Sequence, residues 1–174
     1  EAWALAAESS ERALALGADI PEPHVSAGFL GLFRDWDWDG AERELRLAVD
    51  LAPESTAPHQ WLGLVLDLRG RREEAASALR RAQEGDPLSL VVLALAGLHA
   101  AFGADHEGEL AHARRALELD PHQLLGHWSL GAALANLGRY EEAVAEHRRA
   151  FELAEGAGDV PEERQTANLC TLAT

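Results

Sequence analysis

Alanine recurs at Ala48, Ala82, Ala116 and Ala150, three consecutive steps of 34 residues. Pro53, Pro87 and Pro121 keep that interval, and so do Gly63, Gly97 and Gly131. Ala41, Ala75 and Ala143 fall in phase as well, with Glu109 in the slot between the last two. A period of this length is one supersecondary unit that cannot bury its apolar face alone, so neighbouring units must stack into a shared core. Each period divides into two amphipathic helices. HQWLGLVLDLRG sets Trp61, Leu62, Val65 and Leu66 at helical spacing and stops at Gly70, a residue suited to a helix C-terminus. REEAASALRRAQEGDP sets Ala75, Ala78, Leu79 and Ala82 at i, i+3, i+4, i+7, and Pro87 prevents further helix. Gly63, Ala75 and Ala82 leave room for two helices to approach closely. Composition points the same way, since Ala and Leu carry most of the 47% apolar content and aromatics are 6%.

PHQWLGLVLDLRGRREEAASALRRAQEGDP and LGHWSLGAALANLGRYEEAVAEHRRAFELA, each with G-x-x-E-E-A between its helices, resemble the tetratricopeptide (TPR) repeat. The resemblance covers nearly the whole chain. It assigns the second helix of a repeat to 2–17, complete repeats to 21–54, 56–88, 90–121 and 124–155, and a first helix of a further repeat to 161–173. Three departures stand out. Gly28 to Gly63 is 35 residues, so the turn RDWDWDG is expected to hold one extra residue. Glu109 occupies a small-residue position, where it is expected to loosen the packing. Near the end Leu169 sits where the paired leucine belongs, but Cys170 replaces the glycine. The phrase DWDWDGAERELRLAVDLAP, followed by HQWLG and DPLSL, further resembles TPR arrays appended to bacterial transcription regulators, adenylate cyclases and protein kinases.

The resemblance implies an all-α fold, an α-α superhelical solenoid whose first helices line a concave groove. Carried over position by position, it places Val25, Phe29 and Phe33 in that groove, then Gln60, Trp61, Leu64 and Leu68, then Ala94, Leu98 and Phe102, then Trp128, Ala132 and Asn136. Such a groove is apolar, with Asp67 as its one evident charge. It implies capture of an amphipathic helix, an extended peptide or a neighbouring domain, carried by Phe29, Phe33, Trp61, Leu64, Leu98, Phe102 and Trp128. The carboxylate clamp of chaperone-binding TPR domains has no counterpart, because no basic residue falls at Val25, Gln60, Ala94 or Trp128.

Other features read structurally. Arg46, Arg80, Arg114 and Arg148 each have an acid four residues on (Asp50, Glu84, Glu118 and Glu152), a ladder of helix-surface pairs worth about 0.2–0.5 kcal/mol each. Glu73, Glu74, Glu141 and Glu142 begin second helices, where acids favour the helix dipole. His24, His59 and His127 open first helices on different helix pairs. In HEGELAH, His106 and His112 are six residues apart and do not form the i,i+4 pair of a metal-binding helix. Cys170 has no resolving thiol in a chain with one cysteine. No cofactor, metal or catalytic constellation is expected, because phosphate loops and nucleophile elbows are missing.

A net charge of −15 opposes contact with nucleic acid, and no apolar run is long enough to insert in a membrane. Lysine and methionine are absent, and the Arg-only, Ala-rich usage suggests a GC-rich bacterial genome. The chain opens on Glu1 without a signal-like segment and reads as a piece of a longer protein, for which a cytoplasmic location is the expectation. The expected function is a protein–protein interaction scaffold rather than an enzyme. Two alternatives are a regulatory or oligomerisation arm, with terminal half-repeats that permit a homodimer, and the non-catalytic TPR region of a larger enzyme such as a glycosyl transferase.

Overall fold

A computed structural model describes residues 2–17 and 19–156; the expected helix over 161–173, with Leu169 and Cys170, lies outside them. The described residues form an all-α fold of the α-α solenoid class. Its helices are α1 (Ala2–Leu16), α2 (Pro21–Leu30), α3 (Trp38–Leu51), α4 (Thr56–Leu68), α5 (Arg72–Gly85), α6 (Leu90–Phe102), α7 (His106–Leu119), α8 (Leu124–Asn136) and α9 (Tyr140–Gly156). A π-helical turn, Gly31–Asp35, continues α2. The periodic prolines explain three of the stops. Helices α3, α5 and α7 end at Leu51, Gly85 and Leu119, each two residues before Pro53, Pro87 or Pro121.

Contacts group the described residues into two compact units, divided between Leu95 and Ala96. In the first, each of α1 to α5 packs on its neighbour in sequence, and α2 also touches α4. Leu32, Leu45, Leu62, Val65, Leu66 and Leu79 form its core together with Ala41, Ala75 and Ala78. The second unit packs α8 against both α7 and α9, around Leu110, Ala113, Leu130, Ala133, Leu134 and Ala143. The periodic glycines sit where helices cross. A Cβ on Gly28 would lie 2.5 Å from Leu45 Cγ, and one on Gly63 would lie 2.6 Å from Leu79 Cγ. Gly97 differs, because the nearest atom to its Cβ position is His112 Cβ at 3.5 Å. That hairpin is the one carrying Glu109. Its carboxylate is buried, accepts a hydrogen bond from Asn136 Nδ2 at 3.2 Å and lies 3.5 Å from His106 Nδ1.

The inter-helix turns repeat with a left-handed residue at Trp36, Gly70, Ala104 and Gly138, each 34 residues after the last. In three turns the following N–H bonds a carbonyl five residues back: Arg71 to Leu66, Asp105 to Ala100 and Arg139 to Leu134, at 2.8–2.9 Å. In the first, Asp37 N–H reaches six residues back to Gly31 O at 3.0 Å. The extra residue between Gly28 and Gly63 is therefore absorbed upstream of Trp36, as the π-helical turn, and the expected insertion in the loop shifts to the helix end. Turn chemistry also alternates. Asp37 and Asp105 accept from the N–H of Gly40 and Gly108, whereas Arg71 and Arg139 each hold the glutamate three residues on, Glu74 and Glu142. Left-handed backbone costs an L-residue about 1–2 kcal/mol, of which glycine's added unfolded-state freedom returns part. Ala104→Gly is thus expected to stabilise the chain by about 0.5–1 kcal/mol, read as a higher urea midpoint.

Candidate partner-binding site

Phe29 and Phe33 stand four residues apart, so they meet on one helical face, with ring centroids 4.6 Å apart. Trp61 of α4 closes on both edge-on, at 5.0 Å from Phe29 and 5.7 Å from Phe33. Trp3 of α1 stacks on the other side of Phe29 at 6.2 Å. These offset and edge-to-face arrangements are the ones aromatic quadrupoles favour. Beside them lies an open cavity of about 670 Å³, lined by Trp3, Phe29 and Trp61 together with side chains of α1 and α2. Phe33 and Trp3 are exposed, while Phe29 and Trp61 are half-buried. Trp3 was not among the expected groove residues, although Trp3, Ala6, Ser10 and Ala13 recur at helical spacing in the leading half-repeat.

Two expectations fail in this unit. Leu64 is only 7% exposed and belongs to the core, because α4 is enclosed on that side by its neighbours. Asp67 is not a groove charge: it is buried, with Arg72 Nη1 3.7 Å from its carboxylate. In the second unit Leu98, Phe102 and Trp128 are all exposed, and Trp128 lies against His147 with ring centroids 4.8 Å apart.

The histidines that open first helices tie backbone and helices together. His59 Nε2 and His127 Nε2 bond the carbonyls of Pro53 and Pro121, each six residues back, at 2.7 and 3.0 Å. His24 Nδ1 and His127 Nδ1 lie 2.7 Å from carboxylate oxygens of Glu44 and Glu146. Burial pushes the His112 imidazole below its ordinary value. Among the described residues no three His, Cys, Asp or Glu side chains gather into a metal site, and no helix is long and apolar enough to cross a membrane. The arginine ladder is wired differently from expectation. Glu84, Glu118 and Glu152 pair with Arg81, Arg115 and Arg149, three residues back, and Arg46 turns instead to Glu42 and Glu74.

Residues 126–156, which hold most of α8 and all of α9, match the family model of the tetratricopeptide repeat. That segment is a tetratricopeptide repeat. Solved structures show the same fold. TTC0263, a thermophilic TPR protein in Thermus thermophilus, superposes with a TM-score of 0.80 at 20% identity, over 94% of this chain and 87% of that one. A crystal structure of MamA gives 0.70 at 19% identity, over 88% and 89%. Pseudomonas aeruginosa PilF gives 0.71 at 19% identity, over 76% and 60%. No curated protein sequence matches the chain significantly.

Proposed function

We propose that this TPR protein captures a peptide segment of a partner on the aromatic cluster of its first unit. The observation that supports this is the run of Trp3, Phe29, Phe33 and Trp61 beside a 670 Å³ cavity, with two of the four rings exposed. Rigid aromatic side chains lose little entropy on binding and dominate interaction energies at such sites. The exposed Leu98, Phe102 and Trp128 give the second unit a partner surface of its own.

Covering one aromatic ring is worth about 1.5–3 kcal/mol, which corresponds to roughly 10- to 100-fold in affinity. Phage-displayed random dodecapeptides selected on the wild-type protein should therefore be lost from a Phe33→Ala, Trp61→Ala variant whose helical circular dichroism is unchanged. Equal retention by the two proteins would remove the cluster from the binding site. Separate selections on Phe102→Ala and Trp128→Ala test the second unit.

A further inference from the structure

The cavity beside the aromatic cluster is a trough with two chemically different ends. Helices α1 and α2 run antiparallel along it, with Trp3 stacked on Phe29 at one end and Ser10 Oγ donating to Pro23 O at 3.4 Å further along. Glu22 lines the end away from the rings. Among the described residues it is the only ionised side chain on the walls, which are otherwise alanine, serine, proline, valine, leucine and aromatic. Glu22 is exposed and forms no ion pair with a described residue. It precedes Phe29 by seven residues, which places it about 10 Å along the helix axis from the rings.

Resting on the binding role proposed above, we infer that the trough takes an extended peptide bearing an apolar anchor and, about 10 Å away, a lysine or arginine. The anchor enters among Trp3, Phe29 and Trp61, and the cation meets the Glu22 carboxylate. In an extended polyproline-II chain, which returns side chains to the same face every third residue at about 3.1 Å per residue, that separation is three residues. Charge argues for this occupant over an acidic or neutral one. The walls carry an unpaired carboxylate and no arginine, and the whole chain bears −15. A cationic segment is drawn in from a distance and then held locally, whereas a second copy of this acidic chain is repelled.

The test is selection of the same phage-displayed dodecapeptide library on wild type, Glu22→Gln and Glu22→Arg. Glu22 is an exposed first-turn residue, so both variants should fold, with circular dichroism as the check. Wild type is expected to enrich Trp, Phe or Leu with Lys or Arg at a constant offset of three. A synthetic peptide of that consensus should bind Glu22→Gln roughly 3- to 5-fold more weakly, and Glu22→Arg should lose the cationic consensus. Enriched peptides without a cation, or the same consensus on Glu22→Arg, would overturn the cationic specificity and leave the aromatic site standing. Enrichment no greater than on the bare support would overturn both.

Discussion

Leu45→Ala is expected to cost the protein about 3 kcal/mol in urea unfolding, because Leu45 is fully buried at the crossing of α2 and α3. Gly28→Ala probes the same contact from the other side. Its new Cβ would collide with Leu45 Cγ, an atom near the root of the side chain rather than its flexible end. Overpacking of that kind costs about 1–3 kcal/mol, and the better helix propensity of alanine returns about 1 kcal/mol, for a net loss near 1 kcal/mol. The decisive measurement is the double variant. Once Leu45 is truncated, the methyl introduced by Gly28→Ala has room and fills part of the void, so the double variant should be about 1 kcal/mol more stable than Leu45→Ala alone. Strict additivity would show that glycine is not required there by the leucine. Gly97→Ala supplies the contrast, since the nearest atoms, His112 Cβ and Glu109 O, stand at 3.5 and 3.9 Å, ordinary van der Waals contact. It should stabilise by about 0.5–1 kcal/mol.

That contrast also marks what the sequence makes legible. Glycine at helix crossings, proline two residues beyond helix ends and small residues at fixed phase report local steric needs. Their periodicity therefore leads directly to helix pairs and to the all-α class. Glu109 in a slot otherwise held by alanine signals looser packing, and the wider approach at Gly97, 3.5 Å against 2.5 and 2.6 Å at Gly28 and Gly63, agrees with it. The extra residue before Gly63 was equally visible, but not its location. Loop and helix end absorb an insertion at similar cost, and only the six-residue reach from Asp37 to Gly31 identifies the π-helical turn.

The candidate site was less legible because exposure depends on neighbours that no single period names. Helical spacing puts Trp61 and Leu64 together, yet only the first reaches the cavity and the second joins the core. Asp67 looked like a groove charge until Arg72 and the surrounding helices enclosed it. Trp3 belongs to the half-repeat, where no complete period marks its partner. The arginine ladder went astray for a geometric reason. Residues at i+3 and i+4 are both within reach on a helix, and the second arginine of each pair sits three residues before the acid.

Glu42→Gln is expected to lower stability by about 1–2 kcal/mol at neutral pH, discounted for the partial exposure of its partners. Glu42 is 9% exposed, accepts from Arg46 Nε at 2.8 Å and Arg71 Nη1 at 2.5 Å, and lies 3.1 Å from Arg69 Nε. It thereby fastens α3 to the turn that precedes α5. Burial by itself pushes this carboxyl up, but the bonds from Arg46 and Arg71 outweigh it and hold the group below its ordinary value of 4.5. A carboxyl depressed in the folded state contributes stability that is complete above the unfolded value and disappears as pH falls through the folded one. The gap between wild type and Glu42→Gln should therefore be full at pH 7 and shrink as pH drops below about 4.5. Glu74 and Asp39 are also held down, by bonds from Arg71 and Arg69 respectively, and they lose their contributions in both proteins. Acid destabilisation common to both proteins belongs to those groups and to Asp35 and Glu142, held down by Arg34 and Arg139, and only the narrowing difference belongs to Glu42. Urea midpoints at pH 7, 5 and 3.5 separate the two, and a difference that stays constant across that range would mean that Glu42 acts through packing rather than charge.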